Sequence, residues 1–151
     1  MTEQEYADRA EELKSSLYRA AFVYLGGEDA AVDAVDEAIY KGFLSHRRLK
    51  DPEHFKAWLT RILINICVTE LRRRKRFDRT GEVPETADES FDSLPLRDAV
   101  DRLPEELRAV VILRYFAGLT LQETAEALEL PVGTVSTRQR RALTILRLEL
   151  Q

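Results

Sequence analysis

The sequence predicts an all-α protein of two small helical domains joined by an acidic linker, with a helix-turn-helix in the C-terminal domain. Three observations predict this: apolar residues recur at helical spacing, caps and helix breakers separate the segments, and no segment alternates as a strand would. Of the 151 residues, 44% are hydrophobic, enough for a core, and 33% are charged, typical of solvated helices. We expect a first domain at 1–77, a linker at 78–95 and a second domain at 96–151.

Three helices are predicted in the first domain. Thr2 and Glu5 form a capping box that opens the first helix, and a Gly-Gly pair ends it. The second helix is expected over residues 28–47. Asp51 is the expected N-cap of the third helix, with Pro52 in its first turn. The third helix carries an unbroken apolar stripe, which places these side chains in a core: Phe55, Trp58, Leu59, Ile62, Leu63 and Ile66.

Residues 77–95 lose this periodicity and are rich in Ser, Thr, Pro and acidic side chains, which predicts a flexible linker. Gly118 ends a helix, and Thr120 with Glu123 forms a second capping box. A turn is expected at 131–134. The helices expected in this half are 96–103, 104–117, 121–129 and 134–150.

Residues 120–146 read TLQETAEALELPVGTVSTRQRRALTIL, two short helices across a tight turn, which is typical of a helix-turn-helix. The N-terminal residues of such a second helix reach base edges in the major groove. An ordinary helical hairpin with a solvated basic face is the alternative. The candidate DNA contacts are Ser136, Thr137, Arg138, Arg140 and Arg141.

The charges are segregated along the chain. Residues 41–79 carry 12 basic and 4 acidic side chains, whereas 1–40 carry 3 and 10, and 80–106 carry 2 and 9. The basic block indicates a polyanionic partner, although the net charge is −4. Because the acidic blocks oppose its approach, we expect the free protein to bind DNA weakly.

The third helix ends in five consecutive cations, which either complement the helix dipole or contact phosphates. Its polar face also carries Lys56, Arg61, Asn65 and Thr69, and the Asn65 amide is suited to reading a base. Arg61 and Asn65 are therefore candidate DNA contacts, with the terminal cations Arg72, Arg73, Arg74, Lys75 and Arg76.

Asp29, Asp33, Asp36 and Glu37 share one face of the second helix. Three interpretations stay open: a solvated face, a Mg²⁺ site of a nucleotide pyrophosphatase, or a docking surface for a basic protein. No phosphate loop or catalytic motif is present in the sequence, so no cofactor is expected. A single Cys, an acidic N-terminus and the lack of an 18-residue apolar run predict a cytoplasmic protein without membrane insertion.

Together these residues resemble the sigma-70 family of bacterial transcription initiation factors, and within it the short extracytoplasmic-function (ECF) group. DAVDEAIYKGF, residues 33–43, is similar to region 2.2, which binds RNA polymerase. FKAWLTRILINICVTELRRRKR, residues 55–76, is similar to regions 2.3 and 2.4, which melt and read the minus-10 element. Residues 103–143 are similar to region 4, which binds the minus-35 element.

The resemblance implies a promoter-specificity subunit rather than an enzyme, with core RNA polymerase and promoter DNA as partners and an anti-sigma factor as a further partner that many members have. It implies that Asp33, Asp36 and Glu37 dock on the polymerase, that Asn65 and the terminal cations of the third helix contact minus-10 DNA, and that Thr134 joins the minus-35 contacts. Many members carry Gln where Asp36 stands and Asp where Thr69 stands. A stand-alone helix-turn-helix repressor and the pyrophosphatase are the alternative functions.

Overall fold

The computed structural model describes residues 1–79 and 94–149, and its secondary structure in these ranges is entirely helical. The all-α prediction is therefore confirmed. Most of the predicted linker, residues 80–93, lies outside the described residues, as does the predicted end of the last helix. The helices are α1 (Glu3–Leu25), α2 (Glu28–Ser45), α3 (Phe55–Arg79), α4 (Leu94–Arg102), α5 (Glu105–Val111), α6 (Leu121–Leu128) and α7 (Val132–Glu149).

The first three helices pack against one another in all three pairings. The Thr2 hydroxyl accepts a hydrogen bond from the Glu5 amide at 3.1 Å, and the Asp51 carboxylate accepts one from the Glu53 amide at 3.0 Å. Both N-caps are thus present, and at Thr2 the described bond is the hydroxyl half of the predicted capping box. After Asp51 a 3₁₀ turn, Pro52–His54, comes first, so α3 itself begins at Phe55. A second 3₁₀ turn, His46–Arg48, follows α2 and shortens it relative to the prediction.

An aromatic cluster surrounds Tyr6 where α1, α2 and α3 meet. The rings of Phe43, His46, Phe55 and Trp58 have centroids 5.3–6.5 Å from the Tyr6 ring. Phe55 is buried and Trp58 packs against the core, so the interpretation of both as core residues is confirmed. The pairs of Tyr6 with Phe43, Phe55 and Trp58 are edge-on, a geometry that aromatic rings favour and that helps to fix how the three helices meet.

The C-terminal half differs from the prediction at one place. Residues 104–117 were expected to form one α-helix, but the helix becomes π-helical over Ile112–Phe116 and then ends at Gly118, which has φ 78°. The Ala117 amide consequently donates to the Ile112 carbonyl, five residues earlier. This wider turn directs its last carbonyls toward α1, which the apolar periodicity could not indicate.

The helix-turn-helix prediction is confirmed in its main parts. Thr120 and Glu123 form the complete capping box, with both reciprocal hydrogen bonds present. The start expected for the last helix was two residues late, because α7 begins at Val132. The Pro131 carbonyl accepts hydrogen bonds from the amides of Thr134 and Val135, which extends the helix backward into the expected turn.

The two halves share a single hydrophobic core cluster. The Ser16 hydroxyl donates to the Ala117 carbonyl at 2.8 Å, and Arg19 Nε donates to the Phe116 carbonyl at 2.9 Å. These bonds fasten the π-helical turn to α1, while α6 packs on α3. Among the described helices, none combines the length and apolar character needed to cross a membrane.

We predict that Gly42→Ala destabilises the protein by about 1–3 kcal/mol, because the added methyl overpacks the core. A Cβ at Gly42 would lie 2.4 Å from the Tyr6 hydroxyl oxygen, which already donates to the Ile39 carbonyl. Thermal denaturation measures the effect. The matched control is Gly133→Ala, whose Cβ meets nothing within 4 Å and which should stabilise α7 by about 0.5–1 kcal/mol. Equal melting temperatures for the two variants would contradict the prediction.

Candidate nucleic-acid interface

The polar face of α3 is accessible at its centre. Asn65 and Thr69 are both exposed. They lie between two clefts, one bounded by Glu37 and Lys41 of α2 and the other by Arg138 of α7. The Asn65 amide offers both a donor and an acceptor there, as reading a base edge requires. The structure therefore brings the predicted minus-10 and minus-35 residues to one cleft.

The cations at the end of α3 differ in their contacts. Arg73 donates two hydrogen bonds to the Glu70 carboxylate, at 2.9 and 2.7 Å. Arg74 also donates to Glu70 and, at 2.7 Å, to the Leu25 carbonyl at the end of α1. Arg72 pairs with a carboxylate of α5. Lys75 and Arg76 are exposed.

Glu70 was not identified from the sequence, although its spacing of three and four residues from these arginines is a readable signal. The hydrogen bond from Arg73 is the main cause that holds the pKa of the Glu70 carboxyl below its ordinary value, against partial burial. Arg73 and Arg74 are consequently held by a carboxylate of their own helix, and Arg74 also caps α1.

A small second core of Val110, Ala125 and Val135 joins α5 to the two helices of the helix-turn-helix. Thr137 donates to the Gly133 carbonyl at 3.0 Å and accepts from Arg140 at 3.4 Å, so these side chains follow the helix surface. Most of the predicted contacts are exposed or half-exposed on the N-terminal half of α7, whereas Arg138 turns into the cleft facing α3. The predicted residues on α7 are Thr134, Ser136, Thr137, Arg138, Arg140 and Arg141.

The acidic face of α2 is exposed and is bordered by large apolar side chains. Asp33, Asp36 and Glu37 are all exposed, and Glu37 pairs with Lys41 at 3.0 Å. Within the described ranges, no three His, Cys, Asp or Glu side chains form a group that could hold a metal ion. This gives no support to a Mg²⁺ site. The exposed apolar neighbours, which the sequence reading did not identify, are Val32, Tyr40, Phe43 and Leu44.

A signal for these apolar residues was present in the sequence. The buried side of α2 is built largely from small residues, which lets α1 and α3 approach closely and leaves the large apolar side chains outside. A surface that combines acidic and large apolar side chains is more typical of a protein–protein interface than of a helix face that only contacts solvent. The small buried residues are Ala31, Ala34, Ala38 and Gly42.

Three acidic residues of the α6 segment, defined as residues 121–129, contact the N-terminal part of the α3 polar face and the 3₁₀ turn before it. Glu123 pairs with Lys56 at 3.0 Å, Glu126 bonds His54, and Glu129 pairs with Arg61. The sequence reading missed these contacts because the partners lie about 65 residues or more apart. Burial opposes ionisation of Glu123, but the Thr120 amide and Lys56 outweigh it and hold the pKa of that carboxyl below its ordinary value.

Comparison with known proteins identifies both halves. Residues 10–77 match the family model for sigma-70 region 2, and residues 99–148 match the model for sigma-70 region 4. The RNA polymerase sigma factor SigV of Bacillus subtilis (strain 168) is 34% identical, over 91% of this chain and 86% of its own length. The chain belongs to the sigma-70 family of RNA polymerase sigma factors. The predicted family is thereby confirmed.

The ECF group is confirmed as well. The ECF sigma factor SigW of the same organism is 28% identical, over 97% of this chain and 89% of its own length. Among solved structures, the sigma factor RpoE in complex with the anti-sigma factor NepR, from Bartonella quintana, has a TM-score of 0.80 at 23% identity, covering 97% of both chains. CnrH in complex with the cytosolic domain of CnrY has a TM-score of 0.78. These two likenesses show a shared fold.

The contact between His54 and Glu126 makes a pH-dependent prediction for this sigma factor. The Glu126 hydrogen bond is the main cause that raises the pKa of His54 above its ordinary 6.5, with Asp51 and Glu53 adding to it. A raised pKa means that the imidazolium stabilises the folded state fully below pH 6.5 and loses this contribution as the pH rises through the raised value.

We therefore expect His54→Gln to lower the melting temperature at about pH 6 and to have little effect at about pH 9. Glu12→Gln, at an exposed position of α1 that does not contribute to the raised pKa of His54, is the control. A difference between wild type and His54→Gln that stays constant with pH would contradict the assignment.

Proposed function

We propose that this sigma factor binds core RNA polymerase through the exposed face of α2, reads the minus-10 element with α3 and reads the minus-35 element with α7. The observation that carries the proposal is that the two matched sigma regions each present a helix with exposed cationic and uncharged polar side chains, the types that contact phosphates and base edges. In this arrangement the chain contributes recognition, and the catalysis belongs to the polymerase.

Docking on the polymerase is supported by the composition of the α2 face. Val32, Tyr40 and Leu44 are 46%, 63% and 66% exposed beside Asp33 and Asp36. Burying the apolar side chains supplies affinity, and the carboxylates favour a basic partner and fix the register. A solvated helix face would place polar residues at these positions, so a protein partner is favoured.

Recognition of the minus-10 element is assigned to the exposed centre of α3. Asn65 reads a base edge, Arg61 and Thr69 flank it, and the exposed Lys75 and Arg76 contact phosphates. Arg72, Arg73 and Arg74 stay in the proposed contact set, but each must give up a carboxylate partner before it reaches DNA. We therefore give Lys75 and Arg76 the larger share of the phosphate contacts.

Recognition of the minus-35 element is assigned to α7. Its N-terminal turns would enter the major groove, so that Ser136, Thr137 and Arg138 reach bases while Arg140 and Arg141 contact phosphates. Thr134, at the start of the helix, would contact the DNA backbone. The capping box fixes the start of α6, and the small core around Val135 packs α6 against α7, which supports insertion of the two helices as one unit.

We also infer that the chain acts in the cytoplasm, where polymerase and promoter DNA meet. An anti-sigma protein is a further partner that we propose, supported by the similar structure of RpoE in complex with the anti-sigma factor NepR.

In vitro transcription with core RNA polymerase and a library of bacterial promoters tests the proposed function. We expect the chain to form a complex with the core enzyme and to produce transcripts from a small set of start sites. Asp33→Lys with Asp36→Lys should abolish both, because they reverse the charge of the docking face. Glu5→Lys with Asp8→Lys, on exposed α1 positions, is the matched control and should change neither. A chain that leaves the start sites of the core enzyme unchanged would contradict the proposal.

Arg138→Ala tests the reading role of α7. We expect a loss of about 1–3 kcal/mol in promoter binding by the polymerase complex, together with relaxed base preference at one upstream position. Arg140→Ala, a phosphate contact in the proposal, should weaken all upstream sequences equally. Binding measured over a set of single-base promoter variants separates the two patterns. An equal loss of affinity on every sequence for Arg138→Ala would contradict the base-reading role of Arg138 and indicate a phosphate contact.

A further inference from the structure

Gln139 is a polar residue on the core-facing side of α7. Val135, Ala142 and Leu146 of this helix are buried, and Gln139 stands four residues after Val135 and three before Ala142. This spacing places the four side chains on one face of the helix. An apolar residue is expected at such a position, because a polar group that leaves water must find a hydrogen-bond partner. The half-buried glutamine therefore indicates a specific polar contact.

The partner of Gln139 is Arg114, a half-buried residue of the π-helical turn. Arg114 Nε donates to Gln139 Oε1 at 2.9 Å, and Arg114 Nη1 donates to the Leu119 carbonyl at 2.6 Å. The Leu119 amide in turn donates to the Leu113 carbonyl at 2.9 Å, and the next residue, Thr120, is the N-cap of α6. One guanidinium thus connects the π-helical turn, the start of α6 and the middle of α7.

The chemistry of this pair makes it directional. A guanidinium carries only donors, in one rigid plane, so the Gln139 amide can meet it through its oxygen alone. Apolar contacts such as those of Val135 are not directional and tolerate small rotations of a helix. The Arg114–Gln139 hydrogen bond does not, because a rotation of α7 would leave both groups without a partner in a half-buried place. A single buried polar residue fixes the register of coiled coils for the same reason.

The rotation of α7 about its axis decides which of its side chains reach DNA in the proposed function. Ser136 lies about 60° around the helix from Gln139, and Arg138 and Arg140 lie about 100° to either side. Side-chain ends are about 5–6 Å from the helix axis, so a rotation of about 20° moves them by about 2 Å. Hydrogen bonds form within a window of about 0.5 Å, so such a rotation would break contacts with base edges.

We propose that Arg114 and Gln139 are positioning residues for promoter recognition, whose hydrogen bond fixes the rotation of α7 and thereby sets which bases of the upstream element its side chains select. This inference rests on the proposed function, which places α7 in the major groove. Neither residue has to touch a base for this role, because both act through Ser136, Thr137 and Arg138.

Base discrimination by the complex of the full chain with core polymerase tests the positioning role. Promoter DNA carrying each single-base change in the minus-35 element is titrated, and the ratio of affinities for the preferred and the changed base is measured. This ratio is insensitive to any loss that is equal on every sequence. Gln139→Leu removes the acceptor, Gln139→Asn shortens it by one methylene, and Gln139→Glu keeps it. The matched control is Thr144→Val, at an exposed position where the hydroxyl bonds the Arg140 carbonyl of its own helix.

We expect Gln139→Leu and Gln139→Asn to lower the affinity ratio about tenfold at one or more positions, since one good base contact discriminates about 5- to 150-fold. Gln139→Glu should keep the wild-type ratios, although its charge weakens binding on every sequence. Thr144→Val should change neither quantity. A purely structural role would lower the melting temperature and leave the ratios unchanged. Wild-type ratios in both the Leu and the Asn variants, or their loss in the Glu variant, would overturn the inference.

Hydrogen exchange of the Arg114 Nε–H, followed by NMR on the free chain, tests the pair separately from its role. Exchange should be slow in the wild type and in Gln139→Glu, and about tenfold faster in Gln139→Leu and Gln139→Asn. Equally fast exchange in all four proteins would overturn the inference at its first step. If exchange follows the expected pattern while the ratios stay constant, the positioning role fails and the proposed function stands. If the wild-type complex shows no upstream base preference, the proposed function fails, and the positioning role with it.

Discussion

The apolar side of α3 holds the first half of the chain together, and its opposite side carries the groups that the proposed function depends on. Leu59 and Leu63 are fully buried, each stabilising the fold by about 1.5–3 kcal/mol. Because an α-helix turns through 100° per residue, fixing this apolar stripe also fixes the direction of Asn65, Thr69 and Arg61. The positions of the recognition side chains therefore follow from the packing of the core.

The second constraint is electrostatic. The acidic blocks at 1–40 and 80–106 were expected to oppose DNA by their overall field. In the structure, Glu105 of the second block and three acidic residues outside both blocks, Glu123, Glu126 and Glu129, also form direct ion pairs with cations of α3 or of the turn before it. Local pairing and long-range repulsion act in the same direction here. The difference matters, because a paired carboxylate can be displaced when the two halves separate, whereas the net charge of the chain cannot change.

Local signals in the sequence predicted local structure well. The Thr120–Glu123 capping box, the Asp51 cap and the apolar stripe of α3 involve residues within a few positions of each other, and all are present. The π-helical turn was missed because it depends on α1, which supplies Ser16 and Arg19 to its carbonyls. Tertiary contacts of this kind leave no periodic trace in the sequence.

The candidate site could be predicted only in part, because some of its contacts are local in the sequence and others are tertiary. The cations and Asn65 on α3 were identified from helical spacing, and the resemblance to sigma factors supplied the roles proposed for them. The three-residue spacing of Glu70 and Arg73 could have predicted their ion pair, but the sequence analysis did not include it. The ion pair between Arg61 and Glu129 joins segments that are far apart in the sequence, so only the folded structure reveals it.

The central claim is that the recognition side chains of α3 and α7, which line one cleft in the free chain, separate to reach the two promoter elements when the chain joins the polymerase. The most direct measurement is the distance between labels on α2 and α7 in the wild-type chain, first free and then in complex with core RNA polymerase and promoter DNA. The account predicts a short distance in the free chain and a separation of tens of ångströms, about that between the two promoter elements, in the complex. An identical short distance in both states would contradict it.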